Sequence, residues 1–176
     1  MSGTLVAKIR MDNASYSTSG ELPRIGSHAP EFMLVNTKLQ DVPLTRWSGK
    51  RMIMYVGLSV DSETCARTVI RFDEYLAGSE GVALLVVTAD LPFAHTRFAA
   101  AHDLQVAEGL SVIRHAGFGD NYGVEITDGP LAGMLSPAVL VFDENNTVVH
   151  REHLEDISAE PDYVAAFRAL GMKINE

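Results

Sequence analysis

The sequence predicts an α/β fold: a sandwich in which helices cover a central mixed sheet, preceded by an N-terminal β-hairpin. Three observations predict it. Met52-Ile53-Met54-Tyr55-Val56 and Val82-Ala83-Leu84-Leu85-Val86-Val87 are apolar throughout and short, the pattern of strands buried on both faces. Between them Cys65, Val69, Phe72 and Leu76 recur at helical spacing, an apolar stripe opposite Arg67, Arg71 and Glu74. Near the C-terminus Ala138-Val139-Leu140-Val141-Phe142 and Thr147-Val148-Val149-His150 flank Asp143-Glu144-Asn145-Asn146, a strand, turn and strand that read as a hairpin.

The other elements follow in order. Leu5-Val6-Ala7-Lys8-Ile9 is strand-like, and Asp12-Asn13-Ala14 and Ser17-Thr18-Ser19-Gly20 are turn-rich, so residues 1–25 read as a hairpin appendage on a single domain spanning 1–176. Gly26-Ser27-His28-Ala29-Pro30 opens the main body. Phe32-Met33-Leu34-Val35 is a short strand and Trp47-Ser48-Gly49-Lys50 a turn. The stripe of Cys65 to Leu76 places a helix over Ser62 to Leu76. Asp90-Leu91-Pro92 caps and starts another, with proline in the first turn, where its missing N–H costs nothing. A strand at Leu110-Ser111-Val112-Ile113 and a helical turn from Phe118 to Tyr122 come next. The last helix, Pro161 to Leu170, is primed by Glu160-Pro161-Asp162 and ended by Gly171. A βαβ unit joined through a helix to a ββα unit is the order of a thioredoxin-like three-layer sandwich. Such a fold hosts many functions and names none.

Composition narrows the function. With 176 residues, 47% hydrophobic and 21% charged, the chain can build one core, which excludes disorder and fibre. The lone Cys65 excludes an internal disulfide and any multi-thiolate zinc site, so thiol chemistry must use one sulfur at a time. An excess of 23 acidic over 14 basic residues argues against nucleic acid as a partner. No apolar run approaches the ~20 residues of a membrane span, and the opening residues lack the apolar stretch of a secretory signal, so the expected compartment is the cytoplasm.

The six histidines carry no metal signature. His150 and His153, three apart on a strand, face opposite sides, and His95 and His102 read as solvated residues on one helical face. Gly129-Pro130-Leu131-Ala132-Gly133 lacks the spacing of a phosphate loop and reads as a turn. No cofactor is expected.

Cys65 is the residue with chemistry. If Ser62 is the N-cap, Cys65 is the third helical residue, beside unpaired N–H groups and the positive end of the helix dipole, which favours thiolate. Asp61 and Glu63 oppose this, since like charge disfavours a second anion. The alternative is structural: Cys65 lies on the apolar stripe, and free cysteines are among the most buried residues.

Ala89-Asp90-Leu91-Pro92-Phe93-Ala94 with Arg97-Phe98, Gly129-Pro130-Leu131, Asp143-Glu144-Asn145 and Glu160-Pro161-Asp162-Tyr163 closely resemble the bacterial thiol peroxidase branch of the peroxiredoxins, over essentially the whole chain. The resemblance implies a homodimer that reduces hydrogen peroxide or organic hydroperoxides. Cys65 stands at the peroxidatic cysteine, whose thiolate attacks the O–O bond to give a sulfenic acid that a second thiol reduces. Ser62 keeps the hydroxyl that orients the peroxide, and Arg114 matches a family arginine.

The chain also departs from the pattern. Ala99 stands where the family brings its resolving cysteine, Leu58 replaces the proline that shields the pocket, and Pro137 replaces the arginine that binds the leaving oxygen. That arginine is a type of donor worth about 3–4 kcal/mol in other enzymes. Ser136-Pro137 is either a cis bond shaping a binding edge, as in thioredoxins, or a trans proline starting a strand. Two functions follow. One is a one-cysteine peroxidase recycled by an external thiol, either a thioredoxin-like protein or a low-molecular-weight thiol. The other is a degenerate relative that senses redox state or binds partners. A sulfur in a pocket with Ser62 and a guanidinium would favour the first, and a sulfur buried among Leu58, Val69 and Phe72 the second.

Overall fold

A computed structural model describes residues 6–174. The hairpin β1 (Lys8–Met11) and β2 (Ala14–Ser17) forms a two-stranded sheet. The main sheet contains β3 (Met33–Asn36), β4 (Asp41–Pro43), β5 (Arg51–Val56), β6 (Val82–Thr88), β7 (Ala107–Ser111), β8 (Ala138–Phe142) and β9 (Val148–His153) in the order β4-β3-β7-β6-β5-β8-β9. β5, β6 and β7 are parallel, while β3 and β8 run antiparallel beside them, so the sheet is mixed. Alternation in β5 divides the core: Met52, Met54 and Val56 face one side, Ile53 and Tyr55 the other. The Tyr55 side is covered by α1 (Glu63–Leu76), α2 (Pro92–Ala101) and α4 (Tyr163–Ala169), which contribute Val69, Phe98 and Phe167 to its core. The opposite side receives Phe118 and Tyr122 of α3 (Gly117–Tyr122) and Trp47. This is the thioredoxin-like three-layer sandwich.

The hairpin is anchored to the body. Ile9 has no exposed surface and belongs to the cluster that holds Cys65, and Ser17 N–H donates to Asp128 at 2.7 Å. Gly129 is required where it stands: its φ is +73°, and an added Cβ would lie 2.1 Å from the Tyr16 ring. Leu5, placed in the first strand by its sequence, lies outside the described residues.

The structure moves several boundaries. β4 is only three residues long and contains Asp and Pro, which gave no periodic signal, but it pairs with β3 from Met33↔Pro43 to Val35↔Asp41. β7 begins and ends earlier than the apolar run Leu110 to Ile113, because its register with β6 runs from Leu84↔Ala107 to Thr88↔Ser111, leaving Ile113 exposed. β9 extends to His153, opposite Ala138. α4 starts later than Pro161, because the Asp162 carboxylate caps it by accepting from Ala165 N–H at 2.9 Å. Pro137 is trans and leads into β8; the described residues contain no cis peptide. None of the described helices is long and apolar enough to cross a membrane.

Candidate active site around Cys65

β5 delivers the chain to Gly57, and five residues later Ser62 takes an extended conformation and becomes the N-cap of α1. Its hydroxyl makes no capping bond. Ala66 N–H is bonded to Ser62 O at 2.8 Å, so the N–H groups of Glu63, Thr64 and Cys65 precede the first bond within the helix. The Cys65 side chain turns inward, and the residue is 1% exposed, clustered with Leu58, Val60, Val69 and Phe72. Gly57 allows the approach: a Cβ there would sit 3.3 Å from the sulfur and 3.0 Å from the Tyr55 ring. Tyr55 is itself 1% exposed. Burial first, and the neighbouring Cys65 second, hold its phenol well above the ordinary tyrosine range.

The two carboxylates flanking the helix start are both paired. Asp61 meets Arg97 of α2 at 2.5 Å, and Glu63 meets Arg67 at 3.0 Å. The local charge around the first turn is therefore closer to neutral than the sequence spacing alone implies.

Asp90 does not cap α2; Leu91 occupies that position. The Asp90 carboxylate instead accepts from Val60 N–H, Ser59 Oγ and Thr88 Oγ1, each at 2.8 Å, and so ties the loop before α1 to the end of β6. With the Thr88 proton donated to Asp90, His95 Nε2, 3.0 Å from Thr88 Oγ1, must donate. His95, expected on the surface, is only 3% exposed, because α2 lays it against Gly109 of β7. Burial lowers its pKa, partly offset by Asp90. His102 is the exposed one of the two.

Residues 24–167 match the Redoxin family. The chain is 38% identical to a thiol peroxidase of Corynebacterium glutamicum over 94% of its own length and 99% of that protein's. It is 39% identical to a thiol peroxidase of Mycobacterium bovis, with the same two coverages. The chain belongs to the thiol peroxidase branch of the peroxiredoxins. Among solved structures, the thiol peroxidase from Chromobacterium violaceum superposes with a TM-score of 0.85 at 29% identity, covering 93% of this chain and 95% of that one.

Against that family, the structure sorts the residues singled out in the sequence. Cys65 and Ser62 share the first turn of α1. Arg114 is not brought to them. Its guanidinium donates to Asp41 at 3.2 Å and to Leu39 O at 3.3 Å, beside β4. β4 is four strands from β5 in the sheet, roughly 19 Å at strand spacing. Leu58 packs in the cluster with the sulfur, and Ala99 of α2 lines a cleft of about 300 Å³ with His95 and Arg46. Pro137 is buried at the start of β8. Among the described residues no three His, Cys, Asp or Glu side chains converge as a metal site.

Sequence reasoning missed Tyr55, Asp90 and Arg97 as neighbours of the segment around Cys65. Tyr55 read as one more apolar position in a buried strand. Asp90 read as a cap, because only the folded chain shows which way its carboxylate turns.

Proposed function

We propose that the protein reduces hydrogen peroxide or organic hydroperoxides through Cys65 in a one-cysteine cycle. The reading rests on one observation: the chain's only cysteine opens α1, just past the end of β5, in a chain that aligns with curated thiol peroxidases along nearly their whole length. The Cys65 thiolate attacks the terminal peroxide oxygen, the O–O bond breaks, sulfur is oxidised to sulfenic acid and an alcohol or water leaves. Ser62, whose hydroxyl is not engaged in capping, orients the peroxide. With Ala99 carrying no sulfur, an external thiol, either a thioredoxin-like protein or a low-molecular-weight thiol, condenses with the sulfenic acid to a mixed disulfide and water, and a second thiol group releases Cys65 by exchange, leaving the reductant as a disulfide.

The protein works in the cytoplasm, where thiols are kept reduced. It pairs as a homodimer, a reading supported by the exposed apolar side chains Leu91, Phe93 and Ile113 just beyond the ends of the adjacent strands β6 and β7.

The burial of Cys65 among Leu58, Val69 and Phe72, with Arg114 held elsewhere, favours a second reading, a weakened relative that senses oxidant through a mixed disulfide. One assay separates them. Consumption of hydrogen peroxide and cumene hydroperoxide is followed with excess thiol, supplied as a thioredoxin system or as a small thiol, for wild type and Cys65→Ser. Turnover above the variant supports the peroxidase. A Cys65 adduct without turnover supports the sensor.

A further inference from the structure

The cleft of about 300 Å³ beside Ala99 lies between α2, β7 and the turn that joins β3 to β4, and His95 forms part of its wall. His95 is 3% exposed, and its Nε2–H is engaged by Thr88 Oγ1 at 3.0 Å, because the Thr88 proton goes to Asp90. Nδ1 is then a lone-pair acceptor, and it has no hydrogen-bond partner among the described residues. It is not one of their buried orphaned atoms, which are Asn146 Oδ1 and His150 Nε2, so the little surface that His95 keeps includes this nitrogen. Gly109 makes room for the ring: a Cβ there would stand 2.6 Å from His95 Nδ1 and 2.6 Å from its Cβ. A nearly buried acceptor on the wall of a cleft is a place for a ligand's donor.

The charges around the cleft define the rest of that ligand. Lys38 and Arg46 bring two positive charges against the one negative charge of Glu108, in a chain whose net charge is -9. The turn that carries Lys38 is fixed by Asn36, whose Oδ1 accepts from Lys38 N–H at 2.9 Å and Gln40 N–H at 3.0 Å. Arg46 and Glu108 Oε2 are 3.7 Å apart, beyond hydrogen-bond length, while Glu108 Oε1 accepts from Trp47 Nε1–H at 2.9 Å. The guanidinium and Oε2 therefore keep hydrogen-bonding capacity for a ligand. Two cations, one carboxylate and a neutral imidazole lone pair complement a zwitterion. A simple anion such as phosphate would satisfy the cations, but it brings no ammonium to Nδ1 and is repelled by Glu108.

We propose that this cleft binds a free α-amino acid, with its carboxylate held by Lys38 and Arg46 and its ammonium donating to His95 Nδ1 and Glu108. The ammonium requires a neutral imidazole, and the burial that lowers the His95 pKa keeps it neutral near pH 7. At about 300 Å³ the cleft stands at the small end of ligand sites, the size for a metabolite.

The test titrates L-alanine, L-serine and L-glutamine separately into the isotope-labelled full chain and follows backbone amide and histidine ring-nitrogen resonances. At least one of them should give saturable shifts at Gly109, Ala99 and His95 Nδ1, with Nε2 still protonated. For each amino acid that binds, the analogue without the ammonium and the analogue with a carboxamide in place of the carboxylate should bind about 10-fold more weakly or worse, the worth of one hydrogen bond to a charged group. The double variant Lys38→Ala, Arg46→Ala alters two exposed side chains, so its melting should stay close to wild type while its affinity falls by a similar factor. No saturable shift with any of the three amino acids overturns the proposal. Equal affinity for the analogue without the ammonium overturns it in favour of a plain anion site, and unchanged affinity in the folded double variant overturns it as well.

Discussion

Asp90 holds Val60: its carboxylate accepts the Val60 N–H at 2.8 Å while its second oxygen takes the Ser59 hydroxyl at the same distance. The loop that delivers Cys65 to α1 is thereby fixed to the end of β6. Asp90→Ala strands the Val60 N–H and the Thr88 and Ser59 hydroxyls in a half-buried place. The expected loss of stability is about 1–3 kcal/mol, measured by urea denaturation. Hydrogen exchange at Val60 should accelerate more than exchange in β8. Uniform acceleration along the chain would mean that Asp90 has no local role at the loop.

Stability should fall in mild acid through buried His95 and half-buried His153. Burial lowers the pKa of both His95 and His153, so in the window from the ordinary value of 6.5 downward the unfolded chain binds more protons than the folded one. Unfolding free energy then rises with pH across that window, by up to ~1.4 kcal/mol per pH unit for each histidine, and is flat in these two groups above it. Melting temperatures measured from pH 7 to pH 5 should drop. His95→Gln should make the drop shallower.

Arg114→Ala should change little. The side chain pairs with Asp41 in an exposed setting beside β4, a kind of contact worth about 0–1 kcal/mol. The first-turnover rate with hydrogen peroxide should stay within about two-fold of wild type, the scatter expected of a surface change. A loss of two orders of magnitude would mean that Arg114 leaves Asp41 and enters the site during turnover.

Gly129→Ala should loosen the hairpin. The added Cβ meets the Tyr16 ring at 2.1 Å and the backbone has a positive φ, so crowding and conformation both oppose it. The combined cost should be about 2–4 kcal/mol. In a double-mutant cycle Tyr16→Ala removes the crowding and leaves the backbone cost, so the two substitutions should be clearly non-additive in chemical denaturation. Strict additivity would place the whole cost in the backbone.

Much of the fold was legible because a core strand and an amphipathic helix write their burial into the chain. Met52 to Val56, Val82 to Val87 and the stripe from Cys65 to Leu76 could be placed to within a residue or so. β4 could not, since three residues including Asp41 and Pro43 carry no period and become a strand only by pairing with β3. The same holds at the site. Cys65 and Ser62 are neighbours along one helix, and local spacing places them together. Arg114 and Tyr55 depend on contacts between elements distant in sequence: Arg114 turns toward Asp41, and Tyr55 meets the sulfur across the β5–α1 interface.

Residue types and spacing establish that there is one thiol, that it opens a helix after a buried strand, and that the helices and strands follow the thioredoxin-like order. Local periodicity and residue chemistry suffice for those facts. That the sulfur is buried against Tyr55, that Asp61 is paired with Arg97 and that Asp90 clamps the loop before α1 emerges only from the folded chain. Each of these is a contact between elements that only the sheet order brings side by side, and the chain's local preferences do not encode which way a polar side chain turns to find its partner.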